Sequence, residues 1–311
     1  NFPAVRSIIK GRSNGGEIRR REERDMAPTA RRIADIVAPQ PVVEGAGVRL
    51  RRSIATGRLN YVDPFLLFDH FGSDDPRDYL AGFPMHPHRG IETVTYMLAG
   101  AVEHKDSLGN AGTIGAGDVQ WMTSGGGILH EEMPKPRDGK MEGFQLWVNL
   151  PARLKMTRPR YREVLAGRIP EARRQDGVRV RVVAGVAEGV RGPVTEIAAA
   201  PSFLDVTVPG GAEYVQPVPK GHCALAYVFE GSGMFDGEGE PAVPATRMVV
   251  FGDGDHVRAK AAGGGRVRFL LISGKPLGEP IARYGPFVMN TRQEIEQALE
   301  DLRMGTFVWR G

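Results

Sequence analysis

Two stretches decide the fold. The first is Phe83-Pro84-Met85-His86-Pro87-His88-Arg89-Gly90, and the second is Gly125-Gly126-Gly127-Ile128-Leu129-His130-Glu131-Glu132-Met133-Pro134. Five of the chain's seven histidines fall between positions 70 and 130, and three of them sit in these motifs. In each motif two candidate metal ligands stand two residues apart: His86 with His88, and His130 with Glu132. On a strand, residues i and i+2 project from one face. On a helix they point about 200° apart and cannot share one ion. If both segments are strands that face each other, three imidazoles and one carboxylate converge. That donor set suits Fe, Mn, Co, Ni, Cu or Zn. The spacing therefore predicts one mononuclear metal site inside a β-barrel. Glu131 is adjacent to His130 and on a strand faces the other way, so Glu132 is the better ligand. The second motif is not the helical zinc-protease pattern, because Pro134 stands where that pattern needs its second histidine.

Working outward, short β-rich runs flank both motifs. They include Val48 to Arg52, the interrupted stretch Asn60 to Phe71, Ile91 to Leu98, Val102 to Asp106, Val119 to Met122 and Phe144 to Leu150. Turns at Gly109-Asn110 and Gly115-Ala116-Gly117-Asp118 separate some of them. Close spacing of this kind predicts an antiparallel barrel or jelly roll. Pro151 to Pro170, with several Pro and Arg residues, reads as a connector. A second β series follows at Val178 to Val183, Phe203 to Val208, Ala224 to Phe229, Arg247 to Phe251 and Val267 to Ile272. Its turns echo those of the first half, a weak internal repeat that implies two barrels of similar topology. The end differs. Thr291-Arg292-Gln293-Glu294 is a capping box, and Ile295, Ala298, Leu299 and Leu302 follow at helical spacing.

The expected fold is all-β: two tandem barrels with a short C-terminal helix packed on one of them. The expected divisions are a mobile extension over residues 1–30, a metal-binding barrel over 31–165, and a metal-free barrel with the helix over 166–311. Met26 is a candidate start within the extension.

Composition narrows the function. The 311 residues contain 41 Gly and 23 Pro, which fits many turns between short strands. No run of about 18 apolar residues is present, so no membrane span is expected. Cys223 is the only cysteine. It excludes an internal disulfide, a cysteine zinc site and an iron–sulfur cluster, and it fits a reducing, cytoplasmic setting. The formal charge of +4 is uneven. Residues 1–32 hold nine Lys/Arg against four acids, which leaves the remainder at −1. A near-neutral body gives no bulk attraction to nucleic acid, and no direct contact with it is expected. Arg19-Arg20-Arg21 reads as a solvated run, with a nuclear-type signal as the weaker alternative. The first 25 residues lack an apolar core and are not a secretory signal.

Other residues take plainer readings. The second barrel contains only His222 and His256, without a His-x-His pair, and both read as surface or turn histidines. Cys223 reads as a small core residue. His70 and His104 read as supports around the site. Trp121, Trp147 and Phe83 read as core. The glycine triplet 125–127 lacks a following Lys and opens no helix, so a phosphate loop is not expected.

Taken together, these motifs resemble the pirin family of bicupins. The match includes Phe83 to Gly90 with Glu92-Thr93-Val94, then Gly117 to Thr123 and Gly127 to Pro134. It continues through Gln145-Leu146-Trp147-Val148-Asn149-Leu150 and Gly285 to Thr291. It covers roughly residues 45–305. The resemblance implies two cupin (jelly-roll) barrels and one non-haem metal, most often Fe(II), in the N-terminal barrel. It implies His86, His88, His130 and Glu132 as ligands, whereas the general cupin glutamate slot falls on Glu92. Gly126 departs from the arginine of the animal pirin. Some members resemble quercetin 2,3-dioxygenases. In that reaction a carboxylate, here Glu132, takes the proton of the flavonol 3-hydroxyl, dioxygen adds, the ring opens and carbon monoxide leaves. Other members resemble iron-binding, redox-sensing regulators that act through protein partners, as transcription cofactors or as regulators of metabolic enzymes. An enzyme should present an apolar cleft that reaches the metal, of several hundred Å³ as ligand sites usually are. A regulator can do with a closed site.

Overall fold

The computed structural model describes residues 28–135, 139–235 and 241–309. Residues 1–27, most of the expected extension, lie outside that set. The architecture is all-β, two barrels in tandem with, among the described residues, one α-helix, Arg292–Arg303, near the C-terminus. The first barrel is closed by two antiparallel sheets. The smaller has four strands in the order Phe83–His88, Ile128–Lys135, Ala101–Asp106, Ala111–Gly115. The larger has seven, in the order Arg160–Val164, Val119–Thr123, Ile91–Ala99, Met141–Asn149, Phe65–Ser73, Val48–Ile54, Gln40–Glu44. The second barrel is built on a ten-stranded sheet whose long central strand is Cys223–Met234.

Period-two alternation sorts the side chains of Ile91–Ala99. Val94 and Tyr96 face the second barrel, and Thr95 faces the first barrel's interior. The two barrels meet through these outer faces. Phe68, Tyr96, Phe144 and Leu146 of the seven-stranded sheet pack against Phe203, Tyr227, Leu270 and Ile272 of the other. Phe68 lies 5.7 Å from Phe144 and 4.8 Å from Tyr227, ring centre to ring centre. A buried polar tie crosses the same boundary. The Tyr96 hydroxyl donates to Asp205 at 2.7 Å, and Arg268 holds the same carboxylate through Nε and Nη2 at 2.9 and 2.6 Å.

The halves also exchange elements. Strand Ile33–Val37 pairs with Arg247–Phe251, so this early segment lies in the second barrel's sheet. Beside it, Thr29 and Asp255 bond through both main chain and side chain. In return the hairpin Ala282–Tyr284/Phe287–Met289 and the helix lie against the first barrel. Arg89 bridges to Phe287, and its guanidinium pairs with Asp301 of the helix at 2.6 Å. The capping box forms as expected: Thr291 accepts from the Glu294 N–H while Glu294 reaches back. Ile295 and Ala298 are buried, but Leu299 and Leu302 sit at the exposed margin. The expected connector holds a strand, Arg160–Val164, paired with Val119–Thr123. Its Arg-Tyr-Arg-Glu-Val sequence is polar because it lies at the sheet's edge. No helix among the described residues is long and apolar enough to cross a membrane.

Because the inter-barrel contact is one continuous core, the halves should melt together. Phe68→Ala removes a fully buried ring at its centre and should cost about 3–5 kcal/mol. Calorimetry should show one transition, shifted down. A variant in which one half melts early while the other keeps its parental midpoint would contradict this coupling.

Candidate metal centre

Strand Ile128–Lys135 lies between Phe83–His88 and Ala101–Asp106. The register sets His130 opposite His86 on one side and Asp106 on the other. It sets Glu132 opposite His104. The pairing with Phe83–His88 slips between His130 and Glu132, a bulge of the kind that re-aims side chains. His86, His88 and His130 thereby converge, their ligand atoms all within 4.8 Å of one another. The His86 ring lies 4.3 Å from His130 and 4.9 Å from His88, centre to centre. Glu132 forms a second such group with His104 and His130. Glu131 points outward and pairs with Lys105 at 3.5 Å.

The hydrogen bonds assign the tautomers. His86 Nδ1 lies 2.9 Å from the Pro84 carbonyl, which only accepts. Nδ1 therefore carries the proton and Nε2 keeps a lone pair, aimed at His88 Nε2 3.1 Å away. His104 Nε2 donates to Asp106 at 3.2 Å, so His104 Nδ1 is the acceptor. It faces His130 Nδ1 at 3.5 Å. That places the His130 proton on Nδ1 and leaves Nε2 with a lone pair. His130 Nε2 is buried and has no hydrogen-bond partner among the described residues. A buried nitrogen lone pair without a donor is costly, and a metal ion would satisfy it. Burial, with smaller contributions from the neighbouring imidazoles, pushes His88 and His130 well below the ordinary histidine range. Both are neutral at pH 7, the form that binds metals.

Glu132 is held from the opposite sheet. Its Oε1 accepts from Thr95 Oγ1 at 3.1 Å and from Gln120 Nε2 at 2.9 Å. Both donors use one oxygen, which leaves Oε2 for an ion. These residues fit one divalent transition metal: three imidazoles, one carboxylate and an orphaned lone pair. Asp106 fixes His104, and His104 fixes His130, the outer support that metal-ligating histidines usually have. Burial works to raise the Asp106 pKa, but bonds from His104, Asn110 and the Leu108 N–H outweigh it and keep it below the ordinary range. His104 is clamped further by the stacked Tyr161 ring, 4.4 Å away.

Beside the cluster is a cavity of about 490 Å³. His86, His88 and Glu132 form part of its wall, and Leu67, Phe83 and Trp147 form apolar parts. Phe83 and Trp147 thus line the cavity, where the sequence reading has them as core. Arg283, Gly285 and Pro286 of the C-terminal hairpin also line it. Glu92, at the general cupin glutamate position, lies on the far face of its strand. It accepts from Thr123 Oγ1 at 2.8 Å and borders a separate cavity with Arg160 and Glu196. Burial raises its pKa.

The sequence is covered by two family models, Pirin over residues 47–148 and the Pirin C-terminal cupin domain over residues 203–308. A pirin-like protein of Caulobacter vibrioides is 46% identical over 278 residues, 89% of this chain and 99% of the relative. The chain belongs to the pirin family. A Pseudomonas aeruginosa relative, provisionally named a quercetin 2,3-dioxygenase, is 44% identical over 283 residues, 88% of this chain and 97% of its own. The crystal structure of a quercetin 2,3-dioxygenase from Acinetobacter baumannii superposes with a TM-score of 0.81 at 34% identity, covering 90% of this pirin and 99% of that chain.

Elsewhere in this pirin the sequence-derived candidates separate. His256 pairs with its neighbour Asp255 at 2.7 Å, and His222 is partly buried beside Arg31 and Lys275. Among the described residues the second barrel holds no group of three metal-capable side chains. Burial pushes the Cys223 thiol up to about 12, so it is unreactive at neutral pH. His70 lies at the inter-barrel boundary, bonded to Tyr227 at 3.0 Å and Glu142 at 3.3 Å. Thr95, Gln120 and Asp106 escaped the sequence reading. Asp106 had a signal: His104-Lys105-Asp106 repeats the i, i+2 spacing of the ligand pairs.

Metal analysis checks this arrangement. His130→Ala should lower metal content and the melting temperature together, since metal bound to the native state stabilises it. His104→Gln should weaken metal binding by about 10–100-fold, the usual scale for losing an outer partner. His222→Ala and His256→Ala should retain parental metal content. Equal content in parent and His130→Ala would overturn the ligand assignment.

Proposed function

We propose that this pirin is a mononuclear dioxygenase that opens the ring of quercetin-like flavonols. Its ligands are His86, His88, His130 and Glu132, its metal is Fe(II), and its setting is the cytoplasm. The metal-binding function belongs to residues 31–165, and residues 166–311 form a metal-free cupin unit. The observation that carries this reading is the 490 Å³ cavity with His86, His88 and Glu132 in its wall. Its size suits a small aromatic ligand. A redox sensor working through protein partners has no need of such a space.

When bound, a divalent metal supplies Lewis acidity and, as iron, electron transfer toward dioxygen. The chain's own residues do the rest. The apolar wall orients a flat ring and excludes water. Glu132 accepts the proton of the flavonol hydroxyl, because a carboxylate can ligate through one oxygen and still offer basicity. Thr95 and Gln120 stop it from swinging away, since both grip Oε1. The His130–His104–Asp106 series keeps one imidazole in a fixed tautomer through turnover.

Oxygen consumption with quercetin after Fe(II) loading tests the proposal. Glu132→Gln keeps the shape and one ligating oxygen but removes the base. It should keep part of its metal and lose roughly 10²-fold or more in turnover, the scale of a lost general base. Near-parental turnover in metal-loaded Glu132→Gln would assign the proton to another group. If the iron-loaded parent consumes no oxygen with quercetin, the regulatory reading takes precedence.

A further inference from the structure

One cation on the cavity wall has no carboxylate within ion-pair distance among the described residues. The charged residues lining the cavity are Glu44, Arg52, Asp69, Glu132 and Arg283. Arg52 is fully engaged: Nε and Nη2 donate to Asp69 at 2.8 and 2.7 Å, and Nη1 donates to Glu44 at 2.7 Å. Glu132 belongs to the metal cluster. Arg283 feels Asp69 and Glu44 only through space, without a direct contact to either. Its Nε and Nη1 reach only carbonyl oxygens, of Gly285 and Leu66, both at a long 3.3 Å. Among the described residues it forms no ion pair within 4.0 Å. Its guanidinium lies 5.0 Å from the Trp147 ring centre, and Trp147 meets the His88 ring edge-on at 5.1 Å. His88, Trp147 and Arg283 thus follow one another along the cavity wall, with the guanidinium at most about 10 Å from the imidazole.

We propose that Arg283 is a specificity-determining residue of this site. Its ligand is a flat aromatic with metal-binding hydroxyl groups at one end and an anionic group, carboxylate or phenolate, at the other. The inference rests on the reading of the cavity as an aromatic substrate site and narrows that substrate's class. The chemistry follows from the wall. Apolar groups and the indole accept a ring but give it no direction along the cavity. The guanidinium supplies direction, because a charge-assisted bond is about twice as strong as a neutral one and the apolar surroundings strengthen it further. Arg283 is held on a two-stranded hairpin beyond the second barrel. The C-terminal half therefore supplies substrate recognition to a metal centre in the first barrel.

Matched probes separate charge from shape. Zinc(II)-loaded protein, inert to redox, would be titrated calorimetrically with caffeate and with caffeamide. The two share ring and catechol and differ in charge at the far end. The parent should bind caffeate about tenfold more tightly, a gain of about 1.4 kcal/mol. Arg283→Met should abolish that preference while leaving caffeamide affinity and zinc content unchanged, and Arg283→Lys should keep part of it. Equal binding of both probes by the parent, or a preference that survives in Arg283→Met, would overturn the role of Arg283 alone. Loss of caffeamide binding in Arg283→Met would also overturn it, by showing that the side chain merely shapes the wall. If neither probe binds the zinc-loaded parent, the aromatic-site reading falls as well.

Discussion

His130 is wholly buried, and a buried imidazole must have a use for each of its two nitrogens. One faces His104, which is itself committed to Asp106. The other has no partner among the described residues. The first condition needs strand Ala101–Asp106 on one side of His130, and the second needs His86 and His88 on the other. A strand in the middle of the small sheet is the position that meets both. The sheet order and the tautomer of the ligand are therefore one constraint seen at two scales.

A barrel interior that carries imidazoles, carboxylates and an unfilled cavity gives up apolar burial. The first barrel's inner apolar cluster is correspondingly small, centred on Val48, Tyr79, Met97 and Val102. The second barrel is filled. Val206, Tyr214, Phe235, Phe269 and their neighbours make a continuous interior without a metal-capable cluster among the described residues. The same architecture thus takes two forms. One barrel buries enough surface to hold itself and offers its outer face as a base. The other, docked on that base through Phe68, Tyr96 and Phe144, can hold polar groups inside. The repeat read from turn spacing is thus one filled barrel and one that keeps a cavity beside a buried histidine cluster.

Much of this was legible because period-two spacing is a short-range property. His86/His88 and His130/Glu132 needed only the assumption of strands, and the strands announced themselves by β-branched and aromatic content. Glu131 and Glu132 were separable for the same reason. What stayed hidden was long-range. Ile33–Val37 has no local mark showing that it pairs more than 200 residues away. Arg160–Val164 looks like a linker because an edge strand can be polar. Thr95 and Gln120 are neutral residues in β-rich runs, and only the closing of two sheets shows that both aim at Glu132. Arg283 was unmarked because only the folded hairpin brings it beside Trp147 and to the cavity wall.

The exchanged segments also fix the turn that follows His88. Gly90, two residues after His88, is left-handed at φ 81°. A Cβ there would stand 2.0 Å from the Val288 carbonyl of the C-terminal hairpin. The hairpin can approach only because the residue is glycine. Lys155, buried and with its pKa lowered to about 8 by burial, closes the junction. Its Nζ donates to the Gly90 carbonyl at 3.0 Å, to Asn149 at 2.7 Å and to the Val288 carbonyl at 2.8 Å. All three ammonium donors are used, so the charge is solvated by the protein. The hairpin pinned in this way is the one that carries Arg283 and Pro286 to the cavity. A single glycine–lysine junction therefore sets two distances at once: where His88 stands relative to His86 and His130, and where the hairpin that carries Arg283 stands relative to His88.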